Sequence, residues 1–177
     1  ITITASGGPF LFKNKNFLRN VTPTQAIKHP IWKMGKKISV DSATMMNKAL
    51  EIIEAKYLFN LKNSQINAIV HPESIIHAAI NFFDSSSISL LNEPDMKIPI
   101  SYLLGVEYKN TNYESIFELL NKKKLTFYNI DENKFPVIKL SYKVLEIGGL
   151  APHIFNYNNE ILVDQFLQKK IKFLDIV

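Results

Sequence analysis

The chain contains no cysteine. That excludes a disulfide framework, thiolate metal ligands and a thiol nucleophile, and it fits a reducing compartment. A metal held here must use oxygen or imidazole donors. No apolar run approaches the ~18 residues of a membrane span, and the first residues lack the basic, apolar and small-residue succession of a signal peptide, so the chain is expected to be soluble. Glycine is scarce, with six residues in 177. No G-x-G-x-x-G turn of a dinucleotide fold occurs, and there is no internal repeat. A 46% hydrophobic composition supplies a core for one compact domain or two small packed units. The net charge of +5 favours anionic partners. The cations are scattered, however, and the one dense run, Asn121 to Lys124, reads as a solvated helix end.

"ITITAS" alternates β-branched and small residues and then meets Gly-Gly-Pro, the end of a strand entering a turn. A strand at residue 1 suggests an excerpt of a longer chain. Residues 10–37 mix Pro, Gly, Asn and Lys with isolated aromatics, the pattern of a functional lid. Within them Thr22 as cap, Pro23 at the first helical position and Gln25 three residues after the cap predict a short helix from Thr22 to Lys28. From Ser42 to about Asn60 the residues Met46, Ala49, Leu50, Ile53 and Tyr57 predict one buried helical stripe. "INAIVH", "SIIHAAINFF" and "ISLL" read as strands, with "DSSS" as a turn before the last. Further helices are expected over Pro99 to Gly105, Tyr113 to Lys123, Phe135 to Ile147 and Asn158 to Lys170, with "LTFY" as a short extended piece. Strands precede helices, which predicts an α+β fold: a mixed or antiparallel sheet with helices on one face, followed by a small helical unit. The expected division is 1–105, including a lid over 7–37, a linker over 106–131, and the start of a helical domain over 132–177.

The helix expected from Ser42 carries the chemistry. Ser42, or Asp41 before it, reads as its cap, and Asn47 and Lys48 follow one to two turns in. Hydroxyl, amide and ammonium donors near a positive helix end suit a phosphate. Glu51 shares the face of Asn47 and Lys48, as an acid with its own chemistry or as the partner of an ion pair with Lys48. Ser6, followed by two glycines, reads as turn chemistry or as a place where backbone approaches a ligand. His29, Trp32 and Met34 put one polar and two apolar surfaces on the lid. His71 and His77, six apart, fit one strand face and core or interface roles better than metal binding.

The ordered set "ASGGPF", "HPIWKMGKKISVDSATMMNKALE" and "NEPDMKIP" resembles the deoxyxylulose-phosphate reductoisomerase family, and looser matching through "HPESIIH" and "FNYNNEILVDQFL" extends over nearly the whole chain. The resemblance implies an NADPH-dependent, metal-requiring enzyme of non-mevalonate isoprenoid synthesis. It implies that Ser6, Ser42, Asn47 and Lys48 hold the substrate phosphate, and that His29 encloses the substrate beneath a lid whose apolar face is Trp32 and Met34. Glu51 matches the third acidic ligand of a divalent cation (Mg²⁺, Mn²⁺ or Co²⁺). Its two partners are expected in an Asp-Ser-Glu segment before residue 1, along with a nucleotide domain. Pro94 and Met96 match residues near the nicotinamide. Glu51, Lys48 and His29 are thus the expected catalytic residues. Glu73 stands where an amide or lysine is more usual. A phosphorylated sugar as substrate, a homodimer, no nucleic-acid or membrane partner, and residence in bacterial cytoplasm or a plastid-type organelle complete the implication. The competing reading is a non-enzymatic module that binds phosphate or nucleic acid through the basic helix and lid.

Overall fold

The computed structural model describes residues 1–31, 34–108, 115–122 and 124–177. Strands β1 (Thr2–Ala5), β2 (Asn67–Val70), β3 (Ile76–Asn81) and β4 (Ser87–Leu91) form one sheet in the order β2-β1-β3-β4. β1 runs parallel to β2, pairing Thr2 with Asn67 and Ala5 with Val70, while β1–β3 and β3–β4 are antiparallel. A parallel neighbour needs a crossover. Helices α1 (Lys15–Leu18), α2 (Pro23–Ala26), α3 (Lys36–Thr44) and α4 (Met46–Phe59) lie along it. Helices α5 (Lys97–Leu103), α6 (Ile116–Lys122), α7 (Val137–Ile147) and α8 (Ala151–Leu167) follow the sheet. The mixed sheet and its helices make an α+β fold, as expected.

Local chemistry explains most of these elements. At α2, Thr22 and Gln25 form the reciprocal capping box, with Pro23 in the first turn. Tyr128 in "LTFY" bridges antiparallel to Val70, with both N···O distances 2.9 Å. α8 begins seven residues before the expected Asn158, because Pro152 fits its first turn directly after the positive-φ pair Gly148 and Gly149. Tyr113 and Lys123, the expected ends of α6, lie outside the described residues.

The helix expected to start at Ser42 is two helices. Met45 takes φ +65° and breaks the run, so Ser42 sits in the last turn of α3 and does not cap α4. The Thr44 hydroxyl serves the joint: it donates to Val40 O at 3.1 Å and accepts from Met46 N–H at 3.3 Å. On α4 the buried stripe is Met46, Ala49, Ile52, Ile53 and Ala55, whereas Tyr57 is 57% exposed. Tyr57 belongs to the helix end beyond the core, with Leu58 and Phe59, which are also exposed.

Two apolar clusters hold the molecule. One joins Ile3, Ala5 and Val70 of the sheet to Ala49 and Ile52 of α4 and to Val137, Ile138, Val144 and Leu145 of α7. The other joins Phe10, Leu18, Val21 and Ala26 to Val40 and Ala43 of α3 and to Val163, Phe166, Phe173 and Ile176. Phe10 and Phe166 meet Phe173 edge-on, at centroid distances of 5.3 and 5.7 Å.

Candidate active site

Ser6 leaves the end of β1 into a turn where Gly7 and Gly8 have φ of +84° and +64°. A Cβ on Gly8 would lie 2.6 Å from the carbonyl oxygen of Ser42, so glycine is what lets this turn press against the last turn of α3. The contact brings the Ser6 loop to Ser42, which is partly buried.

His29 meets the same loop. Its Nδ1 accepts the Ile31 N–H at 3.1 Å, and its Nε2 lies 3.0 Å from Ser6 Oγ. Burial lowers the His29 pKa, which keeps the ring neutral at pH 7. With Nδ1 accepting, the proton resides on Nε2 and is donated to Ser6 Oγ, which also receives a long 3.4 Å contact from Gly8 N–H. The Ser6 hydroxyl hydrogen is then turned away from His29 and is available to an anion. Met34 is partly buried nearby in the chain. Trp32 lies outside the described residues.

The chain reversal at Met45 sets the last turn of α3 beside the first turn of α4. No side chain caps α4, and its first turn carries Asn47 and Lys48. One turn later Glu51 receives both: Asn47 Nδ2 donates to Oε1 at 2.7 Å and Lys48 Nζ to Oε2 at 2.5 Å. Lys48 is buried, its side chain 9% exposed, while that of Glu51 is 34% exposed. The bland reading of an ion pair and the chemical reading of a donor cluster therefore describe the same three side chains. His77 of β3 belongs to this neighbourhood: burial lowers its pKa, the positive charge of Lys48 adds to that, and Asn92 O, 3.3 Å from Nε2, opposes it.

Glu51 supplies hard oxygen donors, which fit a divalent cation as one ligand. Among the described residues no group of three or more His, Cys, Asp or Glu gathers to hold a metal. His71 is fully buried with both nitrogens engaged, Nδ1 by Thr126 O at 2.9 Å and Nε2 by Ile75 N–H at 3.2 Å, and its ring stacks on Phe127. These contacts make it a core residue. Pro94 is partly buried and Met96, at the start of α5, is 57% exposed. An open groove of about 360 Å³ lies elsewhere, between Leu11–Lys15 and Asp131–Lys134, and contains none of these residues.

One network escaped the sequence reading. Asp41, adjacent to Ser42 and 2% exposed, receives Lys37 Nζ at 2.7 Å and Asn159 Nδ2 at 3.0 Å, and Lys37 also reaches Glu160 at 2.6 Å. Burial pushes the Asp41 carboxyl up against these bonds. Lys37, nearer the surface, is opposed by its own partial burial yet ends raised by the two acids. Asp41 was legible in the sequence only as a cap, because one of its partners, Asn159, lies 118 residues away on α8.

The chain resembles known proteins over its whole length. Residues 1–59 match the 1-deoxy-D-xylulose 5-phosphate reductoisomerase C-terminal domain, and residues 91–177 the DXP reductoisomerase C-terminal domain. It is 49% identical over 176 residues to the 1-deoxy-D-xylulose 5-phosphate reductoisomerase of Clostridium tetani, covering 99% of this chain and 46% of that protein. With the same enzyme of Wolbachia pipientis it is 50% identical over 182 residues, covering 100% of this chain and 46% of the relative. The chain thus spans just under half the length of these relatives. Among solved structures, a DOX-P reductoisomerase in complex with NADPH, fosmidomycin and magnesium superposes with a TM-score of 0.90 at 41% identity, over 99% of this chain and 43% of that one. The Zymomonas mobilis enzyme in complex with NADPH gives 0.87 at 40% identity, over 99% and 45%.

Proposed function

The chain belongs to the 1-deoxy-D-xylulose 5-phosphate reductoisomerase family, and from that premise we propose that it forms the phosphate-binding side of an active site converting 1-deoxy-D-xylulose 5-phosphate to 2-C-methyl-D-erythritol 4-phosphate. The observation that carries this reading is the meeting of Asn47, Lys48 and Glu51 at the start of α4. The hydroxyl of Ser6, oriented by His29, adds to it.

In this reading Ser6, Ser42, Asn47 and Lys48 hold the phosphate, and the binding energy released there positions the reacting carbons at a distance from it. Among the described residues Glu51 would be the metal ligand; the cation it helps hold (Mg²⁺, Mn²⁺ or Co²⁺) would supply Lewis-acid polarisation of substrate oxygens, and NADPH would supply hydride. His29 positions Ser6 and closes over the sugar with Trp32 and Met34, which excludes water. Pro94 and Met96 border the nicotinamide. Phe10, Leu18, Val21 and Ala26 are buried in a core and Lys37 is tied to Asp41 and Glu160 in the first turn of α3, so a closing motion belongs to the stretch between Ala26 and α3 and not to the whole of 7–37. The boundaries at 1–105, 106–131 and 132–177 are part of the same proposal, as is a homodimer.

A nucleic-acid module is disfavoured physically: a lysine ammonium buried against its own acid is poorly placed to track a polyphosphate backbone. No helix of the described residues is long and apolar enough to cross a membrane. The quoted relatives are bacterial, which favours bacterial cytoplasm over a plastid-type organelle.

The test is NADPH oxidation with 1-deoxy-D-xylulose 5-phosphate by the gene product that carries this sequence. Glu51→Gln should lower kcat by at least a hundredfold. Wild-type turnover in that variant would remove Glu51 from the mechanism.

A further inference from the structure

Both oxygens of Glu51 are occupied by the groups that would grip phosphate, one by the Asn47 amide at 2.7 Å and the other by the Lys48 ammonium at 2.5 Å. All three side chains project from the first two turns of one helix, at spacings of three and four residues, so the cluster is preorganised. Lys48 is buried, and the acid neutralises its charge. An anion arriving at this cluster meets an amide and an ammonium that each already direct an N–H to the acid, beside a carboxylate that repels it.

We propose that Glu51 is a latch: it withholds Asn47 and Lys48 from phosphate until a divalent cation engages its carboxylate, which makes cation and phosphate bind with positive coupling. The inference rests on the functional reading above and adds an order of events to it. A cation drawing on the Glu51 lone pairs weakens the two hydrogen bonds, and its charge repels the Lys48 ammonium. The N–H groups of Asn47 and Lys48 released from Glu51 then turn to phosphate oxygens and join the donors those groups still hold. Linkage requires the converse: phosphate that draws Lys48 away strengthens the cation at Glu51 by the same factor. The same acid that holds the metal thus also discourages phosphate from occupying the site before the metal does.

Calorimetric titration of inorganic phosphate into the gene product, at constant ionic strength and corrected for magnesium phosphate in solution, tests this directly. Saturating Mg²⁺ should tighten wild-type phosphate binding about tenfold or more. Glu51→Gln keeps the shape but removes the charge, so without any cation it should bind phosphate at least as tightly as the magnesium-loaded wild type, and added Mg²⁺ should change little. Simple bridging of phosphate by the cation predicts the reverse, a cation-free affinity in Glu51→Gln no better than cation-free wild type; that result, or a wild-type affinity indifferent to Mg²⁺, overturns the latch. A second variant reads the other side. Lys48→Met should bind Mn²⁺ more tightly than wild type in the absence of phosphate, by electron paramagnetic resonance, and unchanged or weaker Mn²⁺ binding overturns the proposal. If Lys48→Met in saturating Mg²⁺ binds phosphate as well as magnesium-loaded wild type does, the phosphate site itself is misplaced and the latch falls with it. If that variant loses phosphate while Glu51→Gln gains nothing, only the latch fails.

Discussion

Gly8 is the residue on which the site's geometry turns most sharply. Its φ of +64° is strained for any side chain, and a Cβ there would lie 2.6 Å from the backbone oxygen of Ser42, which cannot swing aside. Gly8→Ala therefore combines left-handed backbone strain with a clash that must separate the Ser6 loop from α3. A loss of about 2–3 kcal/mol in urea unfolding is expected, with phosphate affinity falling at least tenfold in calorimetry. Gly35, which has open space around it, serves as the control, since Gly35→Ala meets nothing within 4 Å. Glu73 offers a pH signature. Burial works to raise its pKa, but the Thr126 hydroxyl at 2.5 Å and the Thr126 N–H at 3.1 Å outweigh that and lower it. A carboxyl lowered in the folded state adds stability that is present above its unfolded pKa of about 4.3 and is lost as pH falls through the folded value. Glu73→Gln should cost about 1 kcal/mol at pH 7 and flatten the acid limb of stability in urea titrations from pH 7 to pH 3. An unchanged acid limb would mean that another carboxylate governs it.

At the scale of elements, the joint between α3 and α4 shows what periodicity reads and what it misses. The spacing of Met46, Ala49 and Ile53 named the buried face of α4 correctly, because an amphipathic stripe is a local property of sequence. The break at Met45 carried no glycine or proline to announce it and is held by the Thr44 hydroxyl, so one helix was expected where two exist. The capping box at Thr22 to Gln25 was legible because its donors and acceptors are three residues apart. The tie between α3 and α8 was not, since Asp41 and Asn159 meet only after the chain has folded. That tie gives a prediction at its own scale. Asn159→Ala removes a hydrogen bond from a carboxylate that is 2% exposed and should destabilise the protein by about 1–3 kcal/mol in chemical denaturation. Because Asp41 precedes Ser42, phosphate binding should weaken as well, and Asn159→Gln should restore less than half of either loss, the longer amide having no room in a buried site. Full phosphate affinity in Asn159→Ala would show that α8 supports the fold without positioning the site.

Among the apolar surfaces that the described residues leave uncovered, the β3–β4 hairpin carries one. Cross-strand partners Ile80 and Ile88, with Leu90 opposite Ala78, expose large hydrophobic surfaces on the β3–β4 hairpin, and Phe82 and Phe83 at its tip extend them. By register Ala78, Ile80, Ile88 and Leu90 share the face of Ile3, so the hairpin carries the core face past the helices that cover Ile3 and Ala5; the sequence marked these strands but could not say where that cover ends, because it is set by contacts distant in sequence. A contiguous face of this kind on an edge hairpin invites a symmetric partner, and an isologous dimer buries every such side chain twice. Burying an Ile or Leu contributes about 1.5–3 kcal/mol, so the paired substitution Ile88→Asp with Leu90→Asp, four lost side chains per dimer, should weaken association by at least a thousandfold. Light scattering after size-exclusion chromatography should then show a wild-type dimer and a monomeric variant at micromolar concentration. Glu51, Asn47 and Lys48 sit on α4 and carry none of that hairpin surface, so phosphate titration of the monomeric variant should stay within about threefold of wild type. A wild type that is monomeric at every concentration tested would assign the face to another occupant, while a monomeric variant without phosphate affinity would show that the site depends on the partner subunit.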